Sequence, residues 1–158
     1  MGKKNIFIVS GPIHTGKSTS LIEWAKNRSD VYGILTPKID GKRVFMNAET
    51  NEVFAMEAEE SDATPMIIGK YKFSFAAFAK AIDLIYQNSR QNSGWLIIDE
   101  IGPLEIEGKG FNELLNELLE DEMFNMNLIL VIRESILNDV LKHYRLDLHE
   151  IKIFDPAL

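Results

Sequence analysis

The feature that most restricts the fold of this chain is the segment 11–18, which reads Gly-Pro-Ile-His-Thr-Gly-Lys-Ser. It fits the pattern G-x-x-x-x-G-K-[ST] at every fixed position. Residues 5–10 before it form a short apolar run rich in β-branched side chains, which predicts a buried strand. Residues 19–26 after it favour a helix. Because strand, glycine loop and helix in this order build a phosphate-binding loop, we expect an α/β fold.

The residue types in this loop suit a polyphosphate. Backbone N–H groups and the positive end of the following helix can face phosphate oxygens. Gly11 and Gly16 let the backbone turn and approach closely, since neither carries a Cβ. Lys17 can reach the β- and γ-phosphates as a mobile charge, and the Ser18 hydroxyl is placed to ligate Mg²⁺.

A second informative stretch covers residues 95–100, where an apolar strand ends in Asp99 and Glu100. Asp99 can hold Mg²⁺, directly or through water, opposite Ser18. Glu100 would then lie beside the γ-phosphate, where a carboxylate can orient and deprotonate a water molecule. A strand that meets solvent at two acidic residues is ordinary by itself, but together with the upstream loop it indicates phosphate chemistry.

Composition limits the possible partners. A chain of 158 residues suits a single domain spanning 1–158, and its net charge of −7 disfavours extended contact with nucleic acid. It has no cysteine, which excludes disulfides and fits a reducing compartment. Its apolar runs are all well short of the ~20 residues of a membrane span. We therefore expect a cytoplasmic protein without a membrane or nucleic-acid partner.

Strands alternate with helices along most of the chain, which predicts a three-layer fold with a parallel sheet covered on both faces. The exception is the segment 41–73, which predicts a small antiparallel β insertion. Within it, 42–48 and 52–58 read as a hairpin, and 66–73 as one further extended piece. The remaining predictions are a helix capped by Ser74, a helix at 108–122, a strand at 127–132, a helix capped by Ser135 and a final strand at 149–154.

Residues 99–105, Asp-Glu-Ile-Gly-Pro-Leu-Glu, carry a family resemblance. Shorter matches are Gly-Ile-Leu-Thr-Pro at 33–37, Gly-Lys-Arg at 41–43 and Gly-Lys-Tyr at 69–71. On these motifs the chain resembles, over most of its length, the small P-loop nucleoside-triphosphatase family. That family is known from thermophiles and, in animals, as cancer-related nucleoside-triphosphatase.

The resemblance implies a RecA-like P-loop fold, in which another strand separates the loop strand from the strand that ends at Asp99. It also implies slow, Mg²⁺-dependent hydrolysis of ATP, GTP and other nucleoside triphosphates with loose base preference. Glu100 and Lys17 would be catalytic, and Ser18 and Asp99 would hold the metal. The implied nucleotide-binding residues are Gly11, Pro12, Ile13, His14, Thr15, Gly16, Lys17, Ser18 and Thr19.

Two other functions stay open from the sequence. A small-molecule kinase would use the same loop for ATP and pass the phosphoryl group to an acceptor hydroxyl. A nucleotide-binding adaptor would bind nucleotide with negligible turnover; the histidine at position 14, where the family usually has glycine, and the lack of the usual C-terminal Asn-Arg segment motivate this reading. Arg43 and Arg133 are both candidates for an arginine finger.

Overall fold

The structure is a computed structural model that describes residues 4–11, 16–57, 66–68 and 71–156. Four predicted nucleotide-binding residues, Pro12, Ile13, His14 and Thr15, lie outside this part of the chain. The predicted motif at 69–71 lies mostly outside it as well. None of the helices in the described ranges combines the length and the apolar character needed to cross a membrane.

Ten strands are present in the described residues, eight of them in one sheet. They are β1 (Ile6–Gly11), β2 (Val31–Leu35), β3 (Lys38–Ile39), β4 (Lys42–Asn47), β5 (Val53–Ala55), β6 (Met66–Ile68), β7 (Tyr71–Phe73), β8 (Trp95–Ile101), β9 (Asn127–Arg133) and β10 (Ile151–Ile153). The large sheet has the order β10-β1-β9-β8-β2-β4-β3, with β5 paired to β4. From β10 to β2 every pairing is parallel, which confirms the predicted parallel sheet.

The order of the central strands confirms the RecA-like arrangement. β9 lies between β1, which leads into the phosphate loop, and β8, which carries Asp99 and Glu100. Because all three strands are parallel, their carboxyl ends meet at one edge of the sheet. Open α/β sheets bind their ligands at this edge.

Helices cover both faces of the sheet. They are α1 (Lys17–Ala25), α2 (Phe75–Asn88), α3 (Pro103–Ile106), α4 (Asn112–Glu120) and α5 (Leu137–His143). One core cluster joins Ile8, Ile98 and Leu130 of the sheet to residues of α2, α4 and α5. The other joins Val9, Ile97 and Val131 on the opposite face to Leu21 of α1. Alternate residues of each central strand therefore pack into the cores on opposite faces of the sheet. Because both faces are buried, the sequences of these strands are continuous apolar runs.

The antiparallel region is attached to one edge of the large sheet. β4 pairs antiparallel with β2, β3 and β5, while β6 and β7 form a separate two-stranded sheet. The hairpin between β3 and β4 turns at Asp40 and Gly41, which both have positive φ angles (52° and 78°). Pairing of β4 with β5 confirms the predicted hairpin, but the single extended piece expected at 66–73 is wrong, because it divides into two strands.

Two helix starts also differ from the sequence prediction. The helix expected at 108–122 begins only at Asn112, since Gly108 and Gly110 have φ angles of 83° and 59°, which a right-handed helix does not allow. Ser135 does not cap a helix; it lies inside a 3₁₀ turn (Glu134–Ile136) that leads into α5. Ser74 does cap α2, because its Oγ accepts a hydrogen bond from the Ala77 N–H at 3.1 Å.

Candidate active site

The phosphate loop is framed by β1 and α1. β1 ends at Gly11, and α1 begins at Lys17 directly after Gly16, whose φ of 74° suits glycine. The Lys17 ammonium reaches back to the Gly11 carbonyl oxygen at 3.4 Å. Ser18 and Thr19 follow in the first turn of α1. The predicted strand and helix on either side of the loop are thus confirmed, with five of its predicted binding residues at the junction.

Asp99 is the most buried acidic residue at this edge, with an exposure of 0%. Its Oδ2 accepts hydrogen bonds from the Ser18 hydroxyl at 2.5 Å and from the Thr36 N–H at 3.0 Å. Burial raises the pKa of Asp99 above its usual range, although these two hydrogen bonds favour the ionised form. The side chain therefore joins the phosphate loop to β8 and to the end of β2.

The other oxygen of Asp99, Oδ1, is buried and has no hydrogen-bond partner among the described residues. An unpaired buried carboxylate oxygen is costly, and a cation would satisfy it. Carboxylate and hydroxyl oxygens suit a small, hard divalent cation, so Asp99 and Ser18 fit such an ion. The described residues contain no cluster of three acidic, histidine or cysteine side chains that could bind a metal alone. Phosphate and water would have to complete the coordination.

Glu100 points to a different partner. Its Oε1 lies 3.0 Å from Nε of Arg133, with side-chain exposures of 18% for Glu100 and 38% for Arg133. Arg133 is the last residue of β9 and the register partner of Gly11. The candidate base and one of the two candidate arginines are thus neighbours at the start of the phosphate loop.

The other candidate, Arg43, is bonded to the protein framework. Its guanidinium Nη1 donates a hydrogen bond to the Thr36 carbonyl oxygen at 3.0 Å. Thr36 is 3% exposed and its N–H holds Asp99, so Arg43 supports the residue that orients the carboxylate. Sequence reasoning missed this role of Thr36; a polar residue between the end of an apolar strand and Pro37 was the available signal.

Glu105 is a second buried carboxylate near the site, with an exposure of 2%. Its Oε1 accepts from the Gly102 N–H at 2.7 Å and its Oε2 from the Phe111 N–H at 3.0 Å. The side chain therefore closes the loop that connects the end of β8 to α4. Burial, with a smaller contribution from the charge of Glu100, raises the pKa of Glu105 to about 7. The sequence indicated this residue only as the last member of the family motif.

Comparisons with known proteins indicate the family and the fold of this chain. A family model described as NTPase matches residues 6–155. The chain is 25% identical over 146 residues to "Nucleoside-triphosphatase THEP1" of Archaeoglobus fulgidus, covering 87% of this chain and 84% of that protein. It is 21% identical over 141 residues to the protein of the same name from Korarchaeum cryptofilum, covering 84% and 72%.

A solved structure shares the fold. The crystal structure of THEP1 from the hyperthermophile Aquifex aeolicus matches 96% of this chain and 90% of its own, with a TM-score of 0.71 and 18% sequence identity. The family model spans almost all of the sequence, including the phosphate loop and the Asp-Glu pair. The chain therefore belongs to the P-loop NTPase family that this model describes.

Proposed function

We propose that this protein is a Mg²⁺-dependent nucleoside-triphosphate phosphohydrolase that converts ATP or GTP to the diphosphate and phosphate. The observation that carries the proposal is the position of Asp99. It is buried, hydrogen-bonded to Ser18 of the phosphate loop and followed directly by Glu100, and its Oδ1 has no hydrogen-bond partner in the described part of the chain. Membership of the NTPase family and the printed names of the relatives support the same reaction.

In the proposed reaction, Ser18 and Asp99 hold Mg²⁺, which when bound neutralises charge on the phosphates. Lys17 and the backbone N–H groups of the loop bind the phosphate oxygens and stabilise the charge that develops on them. Glu100 orients a water molecule and accepts its proton. The water oxygen bonds to the γ-phosphorus, the bond from that phosphorus to the bridging oxygen breaks, and the diphosphate leaves.

We also propose slow turnover with loose preference for the base. The residues that the structure brings together act on phosphate and cation, and this chemistry is common to all nucleoside triphosphates. The nucleoside triphosphate is the small-molecule partner in this proposal. The net charge of −7 argues against a nucleic-acid partner, and the cysteine-free sequence suits the reducing cytoplasm.

The test is phosphate release from a panel of nucleoside triphosphates, with Mg²⁺ and with a chelator. Wild type is compared with Lys17→Ala and Glu100→Gln. Lys142→Ala and Glu113→Gln serve as matched controls, because both residues are exposed and lie on α5 and α4. We expect Mg²⁺-dependent release that both site variants reduce by about 100-fold or more and both controls retain.

Each alternative function gives a different result in this assay. Nucleotide binding without release would reject hydrolysis and indicate an adaptor. Release that requires an added hydroxyl acceptor, which itself becomes phosphorylated, would indicate a kinase. If Glu100→Gln hydrolyses like wild type while Lys17→Ala is inactive, the phosphate site stands but the role given to Glu100 is wrong.

A further inference from the structure

We propose that Arg133 is an arginine finger that acts within its own chain. Its Nε holds Glu100, and its two terminal nitrogens bind the γ-phosphate. This inference rests on the proposed function and assigns a further residue to it. Sequence analysis left Arg43 and Arg133 open for such a role, and the structure separates them by what each guanidinium contacts.

The position of Arg133 follows from the strand order. β9 has β1 on one side and β8 on the other, so its last residue lies between the phosphate loop and the Asp-Glu pair. Arg133 is in register with Gly11, and adjacent strands are about 4.8 Å apart. On the other side, Val131 is in register with Asp99. A side chain that leaves the sheet at Arg133 is therefore within reach of both Glu100 and the bound phosphates.

The contacts of Arg133 leave part of its guanidinium available. The Nε–H donates to Glu100 Oε1 at 3.0 Å. This is the one hydrogen bond that its side chain makes to the described residues, and the side chain is 38% exposed. A guanidinium carries five N–H donors in a rigid fork, and the four on its terminal nitrogens suit phosphate oxygens. One side chain can thus contact the base and the phosphoryl group at the same time.

The guanidinium of Arg43 contacts a different part of the site. Its Nη1 donates a hydrogen bond to the carbonyl oxygen of Thr36, 3.0 Å away, and lies 3.5 Å from the hydroxyl oxygen of the same residue. Movement of Arg43 toward a phosphate would remove the support of the residue that holds Asp99. The structure therefore assigns Arg43 to the metal side of the site and Arg133 to the phosphoryl side.

A guanidinium that contacts both Glu100 and the γ-phosphate has two consequences for the reaction. The positive charge offsets negative charge on the γ-phosphoryl group as its bond to the bridging oxygen breaks. The bond to Nε also fixes the carboxylate of Glu100 close to the phosphorus that its water attacks. Arg133 should therefore affect turnover more than the binding of a diphosphate, which lacks the γ-phosphate.

The experiment compares Arg133→Ala and Arg133→Lys with wild type and with Arg90→Ala, an exposed control in the loop after α2. Affinities for a nucleoside triphosphate and its diphosphate are measured separately, and kcat is measured with Mg²⁺. Guanidinium ion at millimolar concentration is then added to Arg133→Ala, with sodium at equal ionic strength as reference. Thermal melts establish that each variant is folded.

We expect Arg133→Ala to lower kcat about 100-fold, to weaken the preference for triphosphate over diphosphate and to be partly rescued by guanidinium. Arg133→Lys should retain part of the triphosphate preference, since it keeps the charge without the fork. An unchanged preference for triphosphate, or a loss of kcat that guanidinium does not restore, would overturn the inference. If wild type binds but does not hydrolyse, the proposed hydrolysis fails, while the comparison of the two affinities still decides the phosphate contact of Arg133.

Discussion

Asp99 is the acidic side chain proposed to hold the metal together with Ser18. Asp99→Asn keeps the size of the side chain and one oxygen acceptor for Ser18 and Thr36, but removes the charge that would bind a cation. We expect hydrolysis to fall about 100-fold or more, and the rise in melting temperature caused by Mg²⁺ with nucleotide to disappear. Both are measured beside Asp83→Asn, an exposed control on α2. Metal-dependent stabilisation equal to that of wild type would contradict the assignment.

Glu105 should make the stability of the protein depend on pH. Its pKa is raised from an ordinary value of 4.5 to about 7 in the folded chain, so between these values the folded state keeps a proton that the unfolded state has lost. The contribution of this group to stability is therefore complete below about pH 4.5 and is lost as pH rises through about 7. It amounts to at most about 3 kcal/mol.

Glu105→Gln tests this prediction, because glutamine stays uncharged at every pH. Unfolding in urea at pH 5, 6, 7 and 8 gives the free energy of each protein. The variant should become more stable relative to wild type as the pH rises, by about 2.5 kcal/mol between pH 5 and 8. Glu107→Gln, an exposed residue of the same loop, should follow wild type. Parallel curves for wild type and Glu105→Gln would contradict the prediction.

Gly33 of β2 lies directly against the backbone of β8. Gly33 has a φ of 104°, and a Cβ there would lie 2.1 Å from the Ile97 carbonyl oxygen of β8. Its N–H also donates to Asn88 Oδ1 at the end of α2, at 3.0 Å. Gly33→Ala should therefore cost about 2–4 kcal/mol, since both backbone strain and the clash oppose it.

Gly41→Ala is the matched control for Gly33→Ala. Gly41 also has a positive φ, 78°, but a Cβ there would meet no atom within 4 Å. Its replacement should cost about 1–2 kcal/mol, which is the strain alone. Urea unfolding of both variants gives the comparison, and equal losses would show that the contact with β8 is unimportant. Because β2 leads to Thr36, Gly33→Ala should also lower hydrolysis in the fraction that remains folded.

The central strands and the loop strand could be predicted because their sequence patterns are set by burial on both faces of a parallel sheet. The chemistry of the phosphate loop predicts that Asp99 lies near Ser18, 81 positions away, although it predicts them on either side of a Mg²⁺ ion and not their direct hydrogen bond. The contacts of Arg43, Arg133 and Glu105 were not predicted, because each depends on which strand ends and loops become neighbours. The division of the predicted extended piece at 66–73 into β6 and β7 was missed, because three residues carry too little periodicity to define a strand.

In the whole molecule, the proposed active-site residues lie together at the carboxyl edge of the sheet. The proposed site is formed by β1 with α1, β2, β8 and β9. An open groove of about 810 Å³, lined by Lys4, Asn125, His149 and others, contains none of the residues assigned to that site. A bound nucleoside triphosphate should therefore connect four separate segments of the chain at the carboxyl edge of the sheet. At a free nucleotide concentration of 100 times Kd, binding should raise the free energy of unfolding by about 2.7 kcal/mol.

Hydrogen exchange can show where that stabilisation is located. With Mg²⁺ and a nucleoside triphosphate, protection should increase at Gly16 to Ser20, at Thr36 and from Asp99 to Gly102, because ligand contacts suppress local opening there. Amides near His149 should change only through the global stability. Lys17→Ala should show none of these changes at the same nucleotide concentration. Protection confined to the groove residues, with none at the phosphate loop, would place the ligand at the opposite edge and contradict the proposed site.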